Sequence, residues 1–134
     1  MYIDSMIVNP KAQIQTYSFE EAYAESLEYF QGDELAARVW VNKYALKDSK
    51  GNIFELNPDH MHKRLAGEIH RVETKYTNPL SEDEIYQVLK DFKYIVPQGG
   101  PMSGIGNNQQ IVSLSNCFVI GHEKSADSYG GILK

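Results

Sequence analysis

Residues 97–120 read Pro97-Gln98-Gly99-Gly100-Pro101-Met102-Ser103-Gly104-Ile105-Gly106-Asn107-Asn108-Gln109-Gln110, then Ile111-Val112-Ser113-Leu114-Ser115-Asn116-Cys117-Phe118-Val119-Ile120. The first part is rich in breakers and carries no periodicity, which predicts a loop. From Ile111 to Ile120, apolar residues fall on both faces of an extended chain, the pattern of a strand covered on both sides. Such a strand needs hydrogen-bonded neighbours on its edges and a layer on each face. No second good strand is legible. The expectation is that this strand joins a sheet supplied by another polypeptide, and that the chain is the amino-terminal part of a larger assembly.

Upstream, the sequence reads as helical. Ser18-Phe19-Glu20-Glu21 is a capping box that opens a first helix, and Gly32 is its stop. Asp33 begins a second, with Leu35, Val39 and Leu46 as apolar positions and Trp40 nearby. Asp48-Ser49-Lys50-Gly51-Asn52 is a turn cluster, and Ile53-Phe54-Glu55-Leu56 is too short to assign. Asn57-Pro58 starts a third helix with Met61, Leu65, Ile69 and Val72 along one stripe. Asn78-Pro79 breaks it. Ser81 with Glu84 opens a fourth, whose buried face is Ile85, Val88, Leu89 and Phe92. The domains expected are a helical one over 1–95 and a second unit over 96–134.

Composition narrows the function. The chain has 134 residues, 42% hydrophobic and 23% charged, which fits one folded domain rather than disorder. A net charge of −5 leaves no basic stripe for a nucleic-acid backbone. No apolar run approaches the roughly 20 residues that span a bilayer, and the start, MYIDSMIVNPK, is not a signal peptide. With one cysteine there is no internal disulfide or cysteine zinc cluster. A cytoplasmic location, no membrane and no nucleic-acid partner are the resulting expectations.

Among chemistry-bearing residues, Cys117 reads either as a small buried hydrophobe in the strand or as a redox thiol whose partner lies on another segment. Ser115 and Asn116 bring polar groups beside it, as in an active-site wall. The glycine-rich segment is either a connector or a loop that lets a ligand approach the backbone; it has no phosphate-loop pattern. His60 and His62 lie about 200° apart on a helix, so no metal site is expected and the histidines are read as surface residues. His122 has nothing that makes it a base. The acidic pairs at first helical turns are explained by the helix dipole.

Four blocks in order carry a resemblance: Ala45-Leu46-Lys47-Asp48; Pro97 to Gly104; Ser113-Leu114-Ser115-Asn116-Cys117-Phe118-Val119-Ile120; and Asp127-Ser128-Tyr129-Gly130-Gly131-Ile132. From about residue 18 onward the chain resembles the start of a ribonucleotide reductase catalytic chain. The likeness is closest to the adenosylcobalamin-dependent class II, and the class I large subunit shares the same blocks. The resemblance implies an α/β fold: an amino-terminal helical domain, then the first strand of a ten-stranded α/β barrel completed by another polypeptide. It implies reduction of ribonucleotides to 2′-deoxyribonucleotides by thiyl-radical chemistry, with Cys117 as one cysteine of the redox-active pair. Substrate would meet Gly99, Gly100, Ser103, Asn116 and Cys117. Where relatives present a Ser or Thr hydroxyl to the substrate phosphate, this chain has Gly99 or Gly100, so contact would come from backbone N–H groups or Ser103. Asp127, Ser128 and Tyr129 match the opening of the loop that binds a deoxynucleotide effector across a dimer interface. The second redox cysteine, the radical-bearing cysteine and the cobalamin site would belong to the remaining reductase polypeptide. The expectation is one piece of a split or truncated enzyme, inactive alone and binding no cofactor or metal itself. The alternative is a non-catalytic interaction module that docks a partner through its exposed strand.

Overall fold

The computed structural model describes residues 15–114 and Cys117. Five α-helices, Phe19–Tyr29 (α1), Glu34–Lys43 (α2), Pro58–Glu73 (α3), Glu82–Leu89 (α4) and Gly99–Gly104 (α5), succeed one another, with a 3-10 turn, Lys90–Phe92, after α4. The pairs α1–α2 and α3–α4 pack as two hairpins. Local side chains start each of the first four helices. Ser18 and Glu21 form a reciprocal capping box on α1, and Ser81 and Glu84 form the same on α4. Asp33 caps α2 through the Ala36 amide, and the Asn57 side chain accepts from Asp59 and His60 with Pro58 at the first helical position.

The core runs along α3 and α4. Met61 and Leu65 are fully enclosed, and Ile85 and Leu89 face them, as the stripes predict. Val72 fades to 38% exposed at the end of its stripe. On α2 the inward face differs from the expectation. Ala37, Trp40 and Val41 are buried, Leu35 is 73% exposed, and Leu46 lies beyond the helix end. Ala37, Trp40 and Val41 stand at i, i+3 and i+4 and so share the inward face, whereas Leu35 lies about 200° round the helix from Ala37. His62 also departs from its surface assignment and is fully buried. The short segment Ile53-Phe54-Glu55 threads between the hairpins, with antiparallel bridges from Ile53 to Tyr17 and to Lys47.

Two expectations for residues 97–120 change. The glycine-rich stretch contains a helix, α5, whose Met102 enters the same core from beyond the expected boundary at 95/96. Among the described residues no strand forms. Ile111, Val112 and Leu114 are exposed and irregular, at 104%, 37% and 53%, where the sequence pattern predicts a doubly covered strand. A sheet neighbour is what an extended segment needs to become a strand, and none of the described elements offers one. Of the rest of the expected strand only Cys117 is described; Asn116 and residues 127–129 lie outside the described residues.

After α5, Gly106 turns the chain at φ +71, where a Cβ would stand 2.8 Å from Arg64 Cγ. Gly51 also has a positive φ, +88, but faces open space. Chemical denaturation should therefore show Gly106→Ala costing about 1–2 kcal/mol for the left-handed backbone plus an added steric loss. Gly51→Ala should show the backbone cost alone. Equal losses at the two sites would contradict this packing.

Candidate functional site: a clamp on the glycine-rich segment

Three of the functional residues suggested by the sequence, Gly99, Gly100 and Ser103, lie on α5, so what holds α5 decides their geometry. Three of its six residues are glycine, and each lowers helix propensity by about 1 kcal/mol relative to Ala. The stabilisation comes from elsewhere. Arg64, in the second turn of α3, has a side chain only 10% exposed and meets Glu55, at 5%, with its Nε 2.7 Å from Oε1. One terminal nitrogen, Nη2, lies 3.3 Å from Glu55 Oε2 and donates to the Met102 carbonyl at 2.8 Å. The other, Nη1, donates to the Ile105 carbonyl. Glu55 Oε2 also accepts from the Leu46 amide at 2.8 Å. One guanidinium thus joins the segment between the hairpins to the carboxyl end of α5, where a cation also suits the helix dipole.

The structure places several of the residues singled out from the sequence. Ser103 donates its hydroxyl to the Gly99 and Gly100 carbonyls, at 3.0 and 3.3 Å, so the side chain serves α5 itself. Gly99 has a reason of its own: a Cβ there would lie 3.2 Å from the Tyr44 ring. Gly100 shares the first turn of α5, where backbone N–H groups have no intrahelical acceptor. Cys117 is exposed and free, unlike the buried hydrophobe among its two readings. Asn116, Asp127, Ser128 and Tyr129 lie outside the described residues. Gly99, Gly100 and Ser103 are therefore brought together on one short helix.

Beyond α5 lies a groove of about 500 Å³ between α3 and the chain that leaves α5. Ile69, Val72, Ile105, Val112 and Leu114 give it apolar walls, and Glu68 and Glu73 edge it. Gly104 forms its floor: a Cβ there would fall 2.7 Å from Leu114 and 3.2 Å from Val112. The path toward Cys117 is thereby seated directly on α5. Arg64 and Glu55 escaped the sequence reading. Nine residues apart and on different elements, they share no helical or strand spacing, and only the folded chain pairs them.

The described fold, capped helical hairpins around a single core, is an all-α domain with a clamped glycine-rich exit. The family model for the ribonucleotide reductase all-alpha domain matches residues 30–105, which is more than half the chain and spans α2 through α5. The chain belongs to this family. No curated protein and no solved structure matches it. Ribonucleotide reductase origin, an oxidoreductase lineage and a link to deoxyribonucleotide biosynthesis accompany that membership. No helix among the described residues is long and apolar enough to cross a membrane.

Removing one partner of a buried pair leaves an uncompensated charge, at a cost of about 3–5 kcal/mol. Arg64→Met should lose stability of that order and release α5 in particular. Hydrogen exchange at the Met102 and Ile105 amides, bonded to Gln98 and Pro101 carbonyls, should accelerate well beyond that at the Ala22 amide in α1. Uniform acceleration across all helices would overturn the local role of the clamp.

Proposed function

We propose that the chain is the amino-terminal piece of a ribonucleotide reductase, of the adenosylcobalamin-dependent type, and that it delivers Cys117 to an active site completed by another polypeptide. One observation carries this reading. The family match ends at residue 105, at the carbonyl that Arg64 grips, so the helical domain fixes the point from which the chain runs on to its exposed thiol. In the proposed reaction the ribose C2′–O bond breaks and the oxygen leaves as water. The Cys117 thiol and a partner thiol give up two electrons and two protons and join as a disulfide. Hydrogen takes the place of the hydroxyl. The partner sulfur has to come from the remaining polypeptide, with its Cα about 4.4–6.8 Å away.

The first-turn amides of Gly99 and Gly100 are the proposed contacts for substrate phosphate, with Asn116 beside the nucleotide. Ser103 stays a lesser candidate because its hydroxyl already serves α5. Asp127, Ser128 and Tyr129 are the proposed start of the effector loop at a dimer interface of the assembled enzyme. The cobalamin does not fit the described histidines. The His62 ring is sealed, while His60 faces the Leu56 amide and His70 bonds the Leu80 carbonyl. In this reading the cofactor is held by the remaining polypeptide, and no step passes through it here.

Reconstitution with the polypeptide carrying the other reductase segments tests the proposal. Cys117→Ser should abolish multiple turnover while leaving assembly intact, and the isolated chain should make no deoxynucleotide. Unchanged turnover in the variant would favour the non-catalytic docking module instead. Substantial product from the chain alone would defeat the split-enzyme reading.

A further inference from the structure

A second feature lies on α3 about 200° round the helix from Arg64 and is independent of the proposed reaction. His62 is 0% exposed, and neither ring nitrogen has a hydrogen-bond partner. A neutral imidazole carries one N–H donor and one acceptor, and a protonated one carries two donors. Aromatic rings enclose it: Phe92 meets it edge-on at 4.6 Å, and Tyr29 lies 6.5 Å away. Phe30 stacks on Phe92 at 6.3 Å and so closes α1 onto the turn after α4.

That turn is held under backbone strain. Asp91 and Phe92 have φ of +55 and +54, and Gln31, facing them across a cleft of about 270 Å³, has +54. None is glycine, and such conformations persist only where surrounding contacts impose them. The charged and titratable groups around the imidazole are already engaged. On α1 the Tyr29 hydroxyl donates to Asp91, at 3.1 Å, in the strained turn. On α3, Asp59 pairs with Lys63 at 2.7 Å and accepts from Tyr86 of α4, while His60 lies beside Asp59. Neither carboxylate makes a hydrogen bond to His62.

We infer that His62 makes the junction of α1, α3 and the Lys90–Phe92 turn an acid-sensitive joint: protonating this enclosed ring, which has no acceptor for either N–H, opens the turn and the Tyr29–Phe30 end of α1 away from α3. Burial pushes the His62 pKa below its ordinary value, against the pull of Asp59 and Asp91. The unfolded or opened chain therefore takes up the proton first as pH falls through about 6.5. The joint is intact above that value and weakens below it, down to the pKa of the closed form. One proton taken up on opening changes the closed-to-open ratio by at most about tenfold per pH unit.

Hydrogen exchange and denaturation of the full chain between pH 7.5 and 5.5 test the inference. The amides of Lys93 and Ile95, bonded to the Lys90 and Val88 carbonyls, should lose protection in acid before those of α2, after correction for intrinsic exchange. The denaturation midpoint should fall over the same range. His62→Phe, which keeps an aromatic ring, should flatten both responses. A further measurement does not need that variant to fold. NMR titration of the wild-type imidazoles, assigned by the loss of signals in His60→Gln, His70→Gln and His122→Gln, should show the His62 resonance still neutral as pH falls below about 6.5. A His62 ring that titrates at the ordinary value in the closed chain, or an unchanged acid response in His62→Phe, would overturn the inference.

Discussion

A carboxylate and a guanidinium removed from water hold this domain in register. Glu55 and Arg64 sit almost wholly inside, yet every strong acceptor near them is used: both Glu55 oxygens and the carbonyls of Met102 and Ile105. A pair of this kind is weak evidence for net stability, because desolvation offsets much of the attraction. Its contribution is geometric. A lysine at position 64 would place one compact charge, whereas the forked donors of arginine reach a carboxylate and two carbonyls together. The clamp can therefore hold a helix whose own sequence does little to form it.

This division explains what is legible in the residues. Ser18 with Glu21, Asp33, Asn57 with Pro58, and Ser81 with Glu84 all act within three residues, so the starts of four helices can be read directly. The stripes Met61–Leu65 and Ile85–Leu89 are equally plain. On α2, hydrophobicity alone assigns Leu35 inward, but the face that meets the core is the one shared by Ala37, Trp40 and Val41, and which face turns inward is set by the neighbours. The helix α5 is hidden for the same reason. Its Pro and Gly content signals a loop, and the forces that override the signal come from Arg64 and from Met102 entering the core. His62 reads as a surface residue because a polar ring is costly to bury without partners, and nothing in the spacing announces that cost.

The same reasoning accounts for two glycines of α5. Gly99 is small because Tyr44 packs on it, and Gly104 because Leu114 and Val112 do. Neither absence of a side chain requires a ligand. The family match to residues 30–105 fits this view, since the tightly packed glycines near its end are part of how the helical domain presents its exit.

Past that exit and the polar stretch 107–110, the described chain leaves apolar side chains partly or wholly in water. Ile111 is fully exposed and Leu114 about half exposed, close to a groove whose walls are also apolar. Apolar side chains left in water near such a groove contribute little to folding and gain free energy from any surface that covers them, about 25 cal/mol for each Å² buried. In the proposed assembly that surface is the remaining barrel, and the sequence pattern of a doubly covered strand then becomes intelligible. Backbone pairing and two apolar layers would come from the same partner that brings the second thiol. Docking and redox competence would therefore be linked: the contacts that satisfy Ile111 to Leu114 would also set the approach of the Cys117 sulfur, three residues further on.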